Sequence, residues 1–163
     1  MNRYRPLEPV GYTEALNIIS CGTPEEKRLL PLRAGEYMNS WKDAQEICIS
    51  SFESEDPQIR ANAALGLSYI ARNTGCLENH LVEPLLFKEL ISNEQYRGRI
   101  IDAICDINLF MGWHIAEKVI AEYQSGAPLT SDSCSSPGTK IFDVKNGTIS
   151  DLQSINPVFQ KGN

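Results

Sequence analysis

The chain has 163 residues, with 15 Lys and Arg against 21 Asp and Glu, a formal net charge of −6, 42% hydrophobic and 22% charged residues. That length suffices for one domain with a sizeable core, and the composition excludes a wholly disordered chain. The acidic balance argues against a protein built mainly to hold nucleic-acid phosphates, and no apolar run approaches the roughly 20 residues that span a bilayer.

In chain order, MNRYRPLEPVGY has two arginines with no apolar segment behind them, so it does not read as a secretory signal. Helical patterning then runs over about 13–21, 23–38, 41–53, 55–75, 78–92, 92–112 and 113–124. Thr23-Pro24 and Asp56-Pro57 each place a cap acceptor before a proline at the first helical position, where a missing N–H is harmless. Gly75 and Gly112 stand as C-terminal stops. Pro84 is expected in the first turn of an 82–92 helix, and Pro31 to kink or shorten the 23–38 helix. Ala127–Gly138 (APLTSDSCSSPG) has the composition of a linker. Asn146-Gly147 predicts a type I′ hairpin turn joining 141–144 to 148–150, and such a hairpin needs a surface to dock on. The expected organisation is a helical domain over 1–126, a linker over 127–138 and a docked hairpin or irregular tail over 139–163. Residues 1–126 hold 12 of the basic and 18 of the acidic residues, so the charge excess lies wholly in the helical part.

The helical part repeats itself. Residues 55–75, shifted by 37, overlay 92–112: Ile59 on Tyr96, Arg60 on Arg97, Ala63 on Ile100, Leu67 on Ile104, Ile70 on Ile107 and Gly75 on Gly112. A weaker copy at a shift of 33 covers 23–38. Ile59, Ala63, Leu67 and Ile70 form one helical stripe, and Tyr96, Ile100, Ile104 and Ile107 form its counterpart.

Asp56-Pro57-Gln58-Ile59-Arg60 followed by Ala63-Ala64-Leu65-Gly66 resembles the turn and B helix of HEAT-like repeats. The match is good over 41–75, fair over 78–112 and weak over 13–38, about two-thirds of the chain. The second copy departs from the pattern, with Asn93-Glu94-Gln95 in place of Asp-Pro-Gln. The resemblance implies an all-α fold, an α-solenoid of three helix pairs plus a closing helix, with the C-terminal hairpin or tail covering an open edge. It also implies that Arg60 and Arg97 bind turn carbonyls and carboxylates between repeats, and that the B helices line the concave face.

No catalytic constellation stands out. There is no GxSxG, P-loop or GxGxxG. His80 and His114 are expected to begin successive A helices at the surface, and without HExxH spacing or paired cysteines they do not make a metal site. Cys21, Cys48, Cys76, Cys105 and Cys134 are odd in number and widely spaced, which fits free thiols in a reducing, cytoplasmic setting. No cofactor is expected. Trp41 and Trp113 read as packing residues near A-helix starts.

The B-helix stripe opposite the core reads as the binding face. Glu36, Asn62, Leu65, Tyr69, Arg99, Asp102, Asp106 and Phe110 form a mixed patch of aromatic, apolar and carboxylate groups. Two uses are open. One is a non-enzymatic scaffold whose acidic concave face binds and neutralises a basic protein, such as an immunity protein against a nuclease toxin. The other is an adaptor or accessory subunit of an enzyme complex, of the kind that HEAT-like bilin lyase subunits exemplify.

Overall fold

The computed structural model describes residues 5–126; the linker and hairpin expected over 127–163 lie outside them. The described elements are helices: α1 (Tyr12–Cys21), α2 (Pro24–Tyr37), α3 (Trp41–Ser51), α4 (Pro57–Thr74), α5 (Asn79–Ser92), α6 (Arg97–Met111) and α7 (Glu117–Gln124). Through Ala121 they belong to one unit; the chain from Glu122 belongs to a second, of which only 122–126 are described.

Local chemistry sets these boundaries. Thr23 Oγ1 accepts from Glu26 N while the Glu26 carboxylate accepts from Thr23 N at 2.8 Å, a reciprocal cap for α2. Asp56 Oδ1 accepts from Gln58 N at 2.8 Å and opens α4. Gly75 and Gly112 close α4 and α6 with φ of 65° and 66°, the left-handed conformation that glycine adopts without a Cβ clash.

Three expectations need correction. Helix α2 runs through Pro31 to Tyr37 and is not shortened there. Helix α5 begins at Asn79, so Pro84 sits in its second turn. That start agrees with the 78–92 patterning and is fixed from α3: Gln45 accepts from Glu78 N at 2.8 Å and donates to the Glu78 carboxylate at 2.7 Å, holding the residue before the helix. The last helix begins at Glu117, not at Trp113, so His114 precedes it and His80 alone lies in a first turn. Here the Asn108 amide grips Ile115 through both backbone groups, at 2.9 and 3.1 Å, and Ala116 takes a φ of 53°. That conformation breaks the helical path.

The buried stripes follow the sequence period. Ala63, Leu67, Ile70, Ile100, Ile104 and Ile107 are at most 1% exposed. In the weak copy Leu30 and Ala34 are buried but Tyr37 is exposed. Helix α2 packs on α4 and α4 on α6; α3 packs on α2 and α4, α5 on α4 and α6, and α1 on α2 and α3. At the α2–α4 crossing the backbones nearly touch: a Cβ on Gly35 would lie 2.3 Å from Gly66 O, and one on Gly66 would lie 2.4 Å from Pro31 O. The two glycines therefore set the helix spacing at the centre of the layer.

Arg60 and Arg97 tie the pairs together. Arg60 donates to Ser54 O (2.7 Å), Glu55 O (3.0 Å) and the buried Glu89 carboxylate (2.7 Å). Arg97 donates to Leu90 O and Ile91 O, each at 2.9 Å. Asn93 fills the place of the missing Asp: its amide donates to Pro57 O (2.8 Å) and Glu89 Oε1 (2.9 Å), and its carbonyl accepts from Tyr96 N. Among the described residues every buried side-chain nitrogen and oxygen has a partner.

Candidate protein-binding surface

The eight residues named from sequence lie on α2, α4 and α6, the three helices that pack side by side. The structure separates them into two groups with different chemistry.

The first group is engaged within the fold. Asn62 is 3% exposed and sits between helices, donating to Arg28 O at 2.7 Å and accepting from Arg99 Nη1 at 2.6 Å. It belongs to the helix contact and not to an open face, which corrects its placement on the surface stripe. Four residues per turn of separation put Asn62 and Gly66 on one side of α4, the side turned to α2. Arg99 lies over the Tyr96 ring at 5.4 Å and is half-buried. Glu36 accepts from Arg72 at 2.9 Å, and the Arg72 guanidinium stands 4.9 Å over the Tyr69 ring. Glu36, Tyr69 and Leu65 are all half-buried. Together with Pro6, Leu7 and Tyr37, the Glu36–Tyr69–Arg72 cluster lines a shallow notch of about 270 Å³.

The second group is free of such ties. Asp102 and Asp106 are exposed on α6, and no ion pair joins either to another described residue. Phe110 is 44% exposed, and its neighbour Leu109 is 74% exposed. Cys105 lies between the two aspartates in sequence; partial burial and then the charges of Asp102 and Asp106 push its thiol above the ordinary range. Of the acidic residues named from sequence, Glu36 is thus paired to Arg72, whereas Asp102 and Asp106 on α6 form no ion pair among the described residues.

Sequence reasoning missed Leu109 and the Pro6–Leu7–Tyr37 side of the notch. An exposed Leu at the end of an apolar run looks like core until the helix phase is known. Elsewhere, Cys48 is buried, which pushes its thiol far above the usual range, and it donates to Pro31 O at 3.6 Å. Cys21, Cys76 and Cys105 carry no disulfide. His114 Nδ1 lies 2.8 Å from Glu117 Oε1, and among the described residues no three His, Cys, Asp or Glu side chains come together as a metal ion requires. No described helix is long and apolar enough to cross a membrane.

No protein-family model matches the chain, and no curated protein matches it. Among solved structures it is similar to a chain of the crystal structure of a CDI complex from Cupriavidus taiwanensis LMG 19424. The TM-score is 0.58 at 20% identity, over 68% of this chain and 98% of that one. At that identity the likeness is one of fold.

Proposed function

We propose that this chain is a non-enzymatic scaffold of HEAT-like helix pairs stacked as a short α-solenoid, which binds and neutralises a basic protein in the cytoplasm, as an immunity protein does for a nuclease toxin. The observation that carries the reading is the pair Asp102 and Asp106, exposed and without an ion pair among the described residues, beside Leu109 and Phe110 on a chain of net charge −6. Unpaired carboxylates beside apolar area suit a cationic partner: the charges speed encounter and the apolar groups hold the complex. The CDI complex of the structural neighbour, read as contact-dependent inhibition with a toxin and its immunity protein, supports the same class of role. Of those two parts, the acidic surface and the lack of a catalytic constellation fit the inhibitor. An adaptor subunit of a larger assembly would use the same surface, and stoichiometry separates the two.

The test is affinity capture with the tagged chain from lysate of its source at low and moderate salt, followed by mass spectrometry and a nuclease assay on the captured protein. The expected result is one basic protein, bound one to one, released by salt and inhibited while bound. Several co-purifying subunits insensitive to salt, or a sole partner without a positive patch, would overturn the reading.

A further inference from the structure

The 37-residue register makes α4 and α6 comparable position by position. Ala61 corresponds to Gly98 and Ser68 to Cys105. On α4, which has α2 on one side and α6 on the other, Ala61 and Ser68 are 0% and 1% exposed. On α6 the same two positions are exposed, and a Cβ built on Gly98 would meet nothing within 4 Å. Small residues at these positions allow a helix to approach closely, as Gly35 and Gly66 do at the α2–α4 crossing. On α6 this uncovered seam ends at Leu109, which is 74% exposed.

Its edge is charged where α4 is not. Leu65 and Tyr69 of α4 become Asp102 and Asp106 on α6, one helical turn apart and with no cation paired to them among the described residues. A second copy of this chain fits poorly there. Two α6 faces placed together would gather four carboxylates, on subunits each of net charge −6, while Arg99 of the same stripe is engaged with Asn62 of α4.

We infer that the outer face of α6 docks a cationic amphipathic helix of the protein partner, laid against Gly98, Cys105 and Leu109 with Lys or Arg one turn apart on Asp102 and Asp106. This rests on the proposed function and specifies the partner's element: a helix that continues the packing by which α6 lies on α4. A partner that offered only a flat basic surface would leave the seam between Gly98 and Leu109 uncovered.

The experiment uses the full chain and a synthetic helix about as long as α6, with an Ala/Leu seam and Lys at i and i+4, beside the same peptide with Glu at those two positions. Binding is read by fluorescence anisotropy, and the contact is mapped by the alkylation rate of Cys105 relative to Cys21 and Cys76, resolved by mass spectrometry. The Lys peptide is expected to bind, to slow Cys105 alkylation selectively, and to lose roughly tenfold or more in affinity with the double variant Asp102→Lys, Asp106→Lys and with Leu109→Glu. These side chains are exposed, so both variants should keep the wild-type circular dichroism spectrum. Equal binding of the Glu peptide, unchanged Cys105 alkylation in the complex, or self-association abolished by Leu109→Glu would overturn the inference. A toxin captured and inhibited with wild-type affinity by the Leu109→Glu chain would overturn this site while leaving the proposed function standing. Peptide binding at α6 without any toxin partner in lysate would do the reverse.

Discussion

Arg60 shows how much a single side chain holds here. Its guanidinium binds two turn carbonyls and the Glu89 carboxylate, whose side chain is only 4% exposed. Removing it leaves a buried anion and two unbonded carbonyls. We expect Arg60→Met to destabilise the chain by about 3–5 kcal/mol in urea unfolding, and Arg60→Lys to recover only part, because an ammonium lacks the planar fork. A loss under about 1 kcal/mol would mean that Glu89 finds another cation. The exposed pairs Arg28–Asp56 and Arg72–Glu36 are of another kind, each worth about 0–1 kcal/mol. The role of Arg60 in binding turn carbonyls and a carboxylate was legible as what the resemblance to HEAT-like repeats implies for Arg60 and Arg97. Asn62 was not, because burial of a polar stripe position depends on the side chain that reaches it from the next helix, here Arg99.

Among the elements, α2 and α4 carry carboxylates at their starts whose ionised forms are held. The backbone N–H and then the hydroxyl of Thr23 keep Glu26 below the usual carboxylate range. For Asp56, burial works upward, but the Arg28 guanidinium and the Gln58 N–H outweigh it and the net shift is down. A depressed folded-state pKa gives stability that is present above the unfolded value, about 4, and is lost as pH falls through the folded value. Stability should therefore decline on acidification below about pH 4. In the double variant Thr23→Ala, Asp56→Asn this acid limb should flatten. At neutral pH Thr23→Ala alone should cost about 1 kcal/mol. Unfolding midpoints from pH 2.5 to 7 test this, and an unchanged acid limb in the variant would refute it. Both caps stood plainly in the sequence as Thr23-Pro24 and Asp56-Pro57. The start of α5 agrees with the 78–92 patterning, but that of α7 was not legible, since Asn108 sets it from 7 residues away.

On the scale of the described domain, α4 is the hub, packed by α2, α3, α5 and α6. Its contact with α2 depends on two glycines that let the backbones approach, with the Cys48 thiol filling the remaining space 2.7 Å from where a Gly66 Cβ would stand. Gly66→Ala must push α2 off α4, because besides the Cys48 thiol the added methyl meets the Pro31 carbonyl, which is backbone and cannot swing aside. We expect a loss of about 1–3 kcal/mol and weaker amide protection in α2 and α4 together. Hydrogen exchange that changes in α4 alone would show that the crossing does not couple the helices. The same hub argument places the open chemistry at α6, where Gly98 and Cys105 are exposed at positions that are buried as Ala61 and Ser68 on α4.

What the amino-acid sequence determined by itself was the periodic part of this protein. The 37-residue register, the apolar stripes, the capped starts and the glycine stops are local signals, because helix phase and chain reversal depend on residues within a few turns of one another. It also settled the charge balance, which no folding can alter. Tertiary structure decided which polar residues stay available. Eight stripe positions were equivalent by helix phase, yet Asn62 was taken up by Arg28 and Arg99, and Glu36 by Arg72. Asp102 and Asp106 form no ion pair among the described residues, because no cation there comes within reach of them. Pairing across helices is a matter of distance in space, and a pattern along the chain carries no record of that distance.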